Sequence, residues 1–281
     1  MSRIIAEEFQ VEGIPVLTLS EDTSDRRPLV FFMHGFLAEK QQGLNLGYAL
    51  AKAGFYFVSF DASMHGDRFD ERPGKVWNGK GDLVYPLGSK LDAFFLMHEI
   101  VVQNAEDFEV LSARFSQREG VDAKRIGITG FSMGGFSTFY LAANQPAIRT
   151  AVSIAGIPAF AARWNDVTLE ASTYEQWASV MQKAEEETVR RSAFMQTIDP
   201  WEKLTAFPPK PLLMIHGDRD IDSPKKYSVD LYRVLKPRYA DHPERLRLSI
   251  HDEAGHQLTP VMIEEVRDWM VTHLLESNAG V

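Results

Sequence analysis

Ile126-Gly-Ile-Thr-Gly-Phe-Ser132-Met-Gly-Gly-Phe-Ser-Thr-Phe-Tyr140 is the stretch whose reading decides the fold. Ile126 to Thr129 is a short apolar run of β type, and Phe136 to Ala143 is compatible with a helix. Between them Gly130-Phe131-Ser132-Met133-Gly134 fits G-x-S-x-G, the sharp turn that lifts a serine to the top of a sheet. The two glycines remove side chains that would collide where strand folds back onto helix. So short a pattern also arises by accident, and the plain alternative is a tight turn with a surface serine. The surrounding chain chooses between the two.

Upstream, Ile4 to Phe9 and Ile14 to Leu19 are apolar-rich runs parted by Gly13, a starting pair of strands. Pro28-Leu-Val-Phe-Phe-Met33 is apolar without interruption, the mark of a strand covered on both faces in a mainly parallel sheet. It ends at His34-Gly35-Phe36. A helix over about Gln42 to Ala53 stops at Gly54, and the strand Tyr56 to Phe60 ends in Asp61-Ala-Ser-Met-His65-Gly66-Asp67-Arg68. Phe69 to Gly88, rich in Gly and Pro, reads as a long loop. Lys90 to Arg118 is helical, as one helix or two, with Leu91, Phe94, Met97 and Val101 at three- and four-residue steps. Arg125 to Thr129 then feeds the serine turn.

Downstream, Thr150 to Ile154 and Pro211 to Ile215 are strands, and the segment between them is too long for one crossover helix. With Trp164, Trp177 and Trp201 it reads as a helical cap insertion over about 157–209, covering the carboxyl ends of the strands. It would either shape an apolar acyl pocket or form a homodimer contact. Lys225 to Leu235 is a helix, Leu246 to Ile250 the eighth strand, and Pro260 to Leu275 a closing amphipathic helix. Strands alternating with helices predict one α/β domain over 1–281, a mainly parallel eight-stranded sheet with helices on both faces.

Composition sets the outer bounds. The 281 residues are 44% hydrophobic and 25% charged, enough apolar material for a full core. A formal charge of −9 speaks against a nucleic-acid partner. No apolar run approaches the roughly 20 residues a membrane helix needs. Acids stand near the N-terminus where a signal peptide would be apolar, so a cytoplasmic location is expected. With no cysteine there is neither a disulfide nor a thiolate nucleophile.

In an open α/β sheet, ligands bind outside the carboxyl ends of the strands. Here those ends carry a serine at 132, acids at 218 to 222 and a histidine at 256, in the chain order Ser, Asp, His. A serine hydroxyl is a poor nucleophile until a base takes its proton, and the base needs a third group to hold its tautomer. Ser132, His256 and an aspartate fill those roles. Asp220, at the tip of its turn, is the preferred acid. Asp218 is the alternative, and Asp222 looks like part of the N-cap of the next helix. The oxyanion hole is expected from the backbone N–H of Met133 and that of Phe36. His65 and Arg68 would edge the pocket or brace its loops, and His98 would be structural. His34, His65, His216 and His256 match no compact ligand motif, so neither metal nor cofactor is expected.

Together, His34-Gly35-Phe36, Asp61 to Arg68, Gly130 to Gly135, His216-Gly-Asp-Arg-Asp220 and Ala254-Gly-His256 resemble an α/β-hydrolase. More narrowly, Gly13-Ile-Pro-Val16 and the D-A-x-x-H-G-x-R stretch resemble small bacterial esterases related to the prolyl-oligopeptidase and dienelactone-hydrolase branch. The resemblance spans about Gly13 to Leu275, apart from the insertion and the Phe69 to Gly88 loop. It implies a cofactor-free carboxylesterase acting on short- to medium-chain acyl esters, a small-molecule substrate. The chain lacks the cysteine that dienelactone hydrolases use and has no room for the propeller domain of prolyl oligopeptidases. A thioesterase or small peptidase with the same residues is the alternative enzyme. A non-catalytic binding protein on this fold is the alternative outside catalysis.

Overall fold

Strand β3, Arg27–Met33, is buried along its whole length. Leu29, Phe31 and Met33 join one core while Val30 and Phe32 join another on the opposite face, which is why the run from Pro28 to Met33 is apolar without interruption. The structure is a computed structural model that describes residues 3–69, 90–172 and 185–275. Among these, seven further strands flank β3: β1 (Ile4–Val11), β2 (Ile14–Glu21), β4 (Tyr56–Phe60), β5 (Val121–Phe131), β6 (Ile148–Ile154), β7 (Leu212–Gly217) and β8 (Leu246–His251). The sheet order is β1-β2-β4-β3-β5-β6-β7-β8. β1 pairs antiparallel with β2, and β2 antiparallel with β4, while all five remaining pairs are parallel. Glu12 and Gly13, both at positive φ (51° and 81°), make the tight turn of the opening hairpin.

After β3 the chain adds β4 on one side, and later β5 on the other. Strand order therefore reverses beside β3, and the crevice at its carboxyl end is where such sheets bind ligands. One face is covered by helices α2 (Lys90–Phe115), α3 (Met133–Asn144) and α6 (Lys226–Leu235), through Phe108 and Leu111, Phe139, and Leu231 and Leu235. The other is covered by α1 (Leu44–Lys52) and α7 (Pro260–Met270), through Leu46 and Leu50, and Val266 and Trp269. No helix of the described residues is long and apolar enough to cross a membrane.

Several boundaries differ from the sequence reading. The stretch from Lys90 is one helix of 26 residues. The strand feeding the serine has 11 residues, starting at Val121, because its first residues pair with Arg27 and Pro28 ahead of an irregularity at Pro28/Leu29. The closing helix turns π-helical at Val271–Leu275. The loop expected at 69–88 lies, beyond Phe69, outside the described residues.

Within the expected insertion, α4 (Phe160–Ser172) and α5 (Glu185–Ile198) pack on a third core. Phe160, Trp164 and Val167 meet Met97 and Ile100 of α2 there, and also Ala62, Met133 and Ile157, the residues just past β4, β5 and β6. The two helices thus cover strand ends, and the Trp164 indole N–H donates to Ser192 Oγ at 2.9 Å to tie them together. The buried Asp199 carboxylate joins the segment's two ends. It accepts from the N–H groups of Phe160 (3.1 Å) and Ala161 (2.9 Å) at the start of α4, and of Trp201 (3.0 Å) at the exit. Burial raises its pKa against these three donors. Asp199→Ala strands all three, and urea unfolding should show about 3 kcal/mol of lost stability, with Asp199→Asn losing less. An unchanged urea midpoint for the alanine variant would refute this joint.

Candidate active site

Ser132 stands between β5 and α3 at φ 55°, ψ −118°, a backbone conformation that a residue with a side chain adopts only under strain. The strain is imposed by close packing. A Cβ on Gly130 would lie 2.2 Å from the Gly134 carbonyl oxygen, and one on Gly134 would lie 1.8 Å from the carbonyl oxygen of Met33. Strand β5 therefore turns so tightly that its backbone touches the helix it enters, and the helix touches the end of β3. The Ser132 N–H donates to Ile154 O at 2.9 Å, fixing the elbow to β6.

His256 lies on the loop after β8, with its ring centroid 5.0 Å from that of Phe131. The loop is held against the end of β7 by the Arg219 N–H, which donates to Ala254 O at 3.0 Å. His256 Nε2 is 2.8 Å from Ser132 Oγ, and Nδ1 is 2.8 Å from Asp220 Oδ2. Asp220 Oδ1 accepts from the N–H groups of Asp222 (3.0 Å) and Ser223 (2.8 Å), and the carboxylate is fully buried. With an ionised acceptor at Nδ1, the ring proton sits there and Nε2 offers its lone pair to the serine hydroxyl.

Asp218 does not reach the histidine. Its backbone N–H is bonded to His251 O, and its Oδ1 is buried without a hydrogen bond. Asp222 is not the N-cap of α6, which is Lys225; it contributes an N–H to Asp220 and is otherwise exposed. Asp220, Asp222 and His256 offer ligand atoms within 4.8 Å of one another. Since Asp220 and His256 already bond to each other, a cation there would compete with that bond.

Opposite the elbow, Gly35 packs against the serine: a Cβ on it would meet Ser132 Cβ at 3.4 Å and the Phe131 ring at 3.3 Å. The half-buried Phe36 follows directly. Met133 is fully buried as the first residue of α3, where a helical N–H has no acceptor within its own helix.

The loop residues 34–42 are anchored by contacts that the sequence did not announce. Lys40 is buried, its ammonium 2.9 Å from Asp61 Oδ2 and 2.7 Å from Asp67 Oδ2, and its N–H donates to Asp61 Oδ1 at 2.8 Å. Burial alone would lower the lysine's pKa; the two carboxylates outweigh it and hold the pKa above the ordinary value. Gly66, at φ 52°, comes so near that a Cβ would sit 2.3 Å from the Asp61 carboxylate. This contact accounts for the glycine of the Asp61 to Arg68 stretch. Arg68 donates to Asp61 O at 3.1 Å and pairs with Asp107 of α2, so it braces the loops.

The other strand-end histidines have separate partners. Burial pushes His34 and His216 down to about 4, and His65 below its usual value as well. His216 Nε2 is 2.8 Å from Ser228 Oγ, and His65 Nδ1 is 2.8 Å from Ser63 O. His98 sits in α2 among Phe94, Phe136 and Phe160, fully buried and likewise lowered to about 4.

Sheets of this strand order with a serine at this turn are α/β-hydrolases, and the class is serine hydrolase. Within it the chain belongs to the prolyl oligopeptidase family, whose model matches residues 97–275, from α2 through the closing helix. Among curated proteins it is 27% identical over 275 residues to "Putative esterase YitV" of Bacillus subtilis (strain 168), covering 95% of this chain and 98% of that one. It is 25% identical over 278 residues to "Esterase YjfP" of Escherichia coli (strain K12), with the same coverage of 95% and 98%. Among solved structures, TT1662 from Thermus thermophilus superposes with a TM-score of 0.71 at 22% identity, covering 97% of this chain and 99% of that one.

Proposed function

We propose that the protein is a serine carboxylesterase that hydrolyses short- to medium-chain acyl esters through an acyl-enzyme. One observation carries the reading: the unbroken chain Asp220–His256–Ser132, with 2.8 Å at each link, ending on a serine at a strained elbow. Ser132 Oγ attacks the ester carbonyl as His256 Nε2 takes its proton. The imidazolium that forms lies against the Asp220 carboxylate, and it then protonates the departing alkoxide. Water, deprotonated by the same nitrogen, attacks the acyl-enzyme and releases the acid.

Both steps put negative charge on the former carbonyl oxygen. The N–H groups of Phe36 and Met133 receive it, one from each side of the crevice. Each such donor contributes about 2.7–4 kcal/mol to transition-state stabilisation. The aromatic and aliphatic side chains of the cap and of α2 would line the acyl side, consistent with apolar acyl groups of modest length. The two relatives named as esterases favour an ester over the other acyl compounds that this machinery can open.

A fluorophosphonate probe should label the intact protein and fail to label Ser132→Ala. Absent labelling of the wild type, or equal labelling of the variant, would rule out a nucleophilic Ser132. A substrate panel of alkyl esters with acyl chains of increasing length, a thioester and a peptide anilide should show turnover highest for an ester. Faster turnover of the thioester or anilide would replace this reading with a thioesterase or peptidase.

A further inference from the structure

Peptide planes can turn over, and an oxyanion donor is useful only if its N–H points at the oxyanion. Around Phe36 the chain meets this need with side chains outside the Ser–His–Asp set. The N–H of Phe36 belongs to the Gly35–Phe36 peptide, and in a trans peptide the N–H points opposite to the carbonyl. The carbonyl oxygen of Gly35 is held twice: His34 Nδ1 lies 2.8 Å from it, and the Ala38 N–H donates to it at 3.1 Å, closing a turn through Leu37 at φ 73°. Its direction sets that of the Phe36 N–H.

His34 can play this part in one tautomer only. The Ala62 N–H donates to its Nε2 at 3.0 Å, so the single ring proton of the neutral imidazole sits on Nδ1 and points at Gly35 O. Ala62 follows β4, so the tautomer is dictated by the neighbouring strand end. The preceding peptide is held as well, because the Gly35 N–H donates to Gln42 Oε1 at 2.7 Å. Gly35 is thus gripped at both its N–H and its C=O while its Cα packs on Ser132.

We propose that His34 and Gln42 are positioning residues that lock the Gly35–Phe36 peptide with its N–H facing the reacting carbonyl, so that the oxyanion hole is formed before substrate arrives. The inference rests on the esterase reading of the same site and extends it to residues that touch neither substrate nor Ser132 Oγ. Without the lock, the peptide is free to rotate and the hole must be rebuilt in each turnover. That loss falls on kcat, because the ground-state ester needs the donor far less than the oxyanion does.

The test uses two pairs of variants in the full chain, assayed on an activated butyrate ester with thermal unfolding measured alongside. Asparagine can place an N–H donor where His34 Nδ1 stands, whereas glutamine reaches only the Nε2 position. Each keeps one of the two bonds and each loses ring packing, so a merely structural role would hurt both alike. His34→Gln is expected to lower kcat about 100-fold with KM within about threefold, while His34→Asn stays within about fivefold of wild type. Gln42→Leu removes the acceptor for the Gly35 N–H and should lower kcat about tenfold, and Gln42→Glu, which keeps an acceptor, should not.

Equal kcat for the two His34 variants, or a loss that appears only in KM or in melting temperature, would overturn the proposal. If neither His34 variant folds, the Gln42 pair decides, and equal kcat for leucine and glutamate would be the contrary result. A wild type that no fluorophosphonate labels overturns the esterase reading, and this inference with it. A labelled, active wild type leaves the positioning roles alone on trial.

Discussion

Asp220→Asn is expected to cut kcat on an activated ester by about 10⁴-fold, while Asp218→Asn stays within a few-fold of wild type. The difference follows from what surrounds the carboxylate. Asp220 Oδ1 accepts two backbone N–H groups, from Asp222 and Ser223, and an asparagine must keep its amide oxygen there to satisfy them. Its NH2 group is then forced into the place of Oδ2, 2.8 Å from His256 Nδ1. Two donors cannot share that contact, so the ring moves its proton to Nε2. There it faces the serine as a donor and can no longer accept the hydroxyl proton. KM should change little, because the substrate does not touch this bond. Asp218 makes no hydrogen bond to His256, and its substitution leaves the tautomer alone. The assignment fails if Asp218→Asn proves the more damaging of the two.

Acid should unfold this protein early. Burial pushes His34, His98 and His216 down to about 4, so the folded protein keeps all three neutral where an unfolded chain, with histidine near 6.5, already binds protons. The unfolded state takes up more protons between these values, so stability rises with pH across the window. It is present in full above pH 6.5 and lost as pH falls towards 4. Between pH 7 and pH 5 each histidine costs about 2 kcal/mol and the three together about 6 kcal/mol, comparable with the total stability of many domains. His65 and His273, also lowered by burial, act in the same direction. Asp199 and Glu99, raised by burial, act in the opposite direction as they protonate. Urea unfolding at pH 7, 6 and 5 should show the midpoint collapsing. A midpoint that is flat across that range would contradict the buried, neutral state of these rings.

The sheet and the Ser132, Asp220 and His256 cluster were legible because each depends on a local signal. β3 is apolar from Pro28 to Met33 because both its faces are covered, and Gly130 is dictated within one turn of chain, where a Cβ would lie 2.2 Å from the Gly134 carbonyl oxygen. The supporting contacts left no such mark. Lys40 stands in a polar-looking Lys-Gln-Gln run, yet it is buried because Asp61, 21 residues later, folds over it. No rule of composition buries a lysine, because the pairing that permits it is tertiary. His34 was readable as a strand-end residue, but its role depends on Ala62 donating to one ring nitrogen, and that contact exists only once β3 and β4 lie side by side. Asp222 reads as part of a cap because Ser223-Pro224 and a helix follow it, yet the N-cap is Lys225, and the N–H groups of Asp222 and Ser223 wrap Asp220 instead.

The carboxylate of Asp199 binds Phe160 and Ala161 on one side and Trp201 on the other. The segment between them therefore leaves and rejoins the framework through a single doorway, and its length hardly matters to the strands on either side. Lengthening an excursion whose ends already meet costs little entropy, roughly 0.6 kcal/mol per doubling. A seam of that kind lets the segment vary in length while its two ends stay fixed against the framework that carries Ser132.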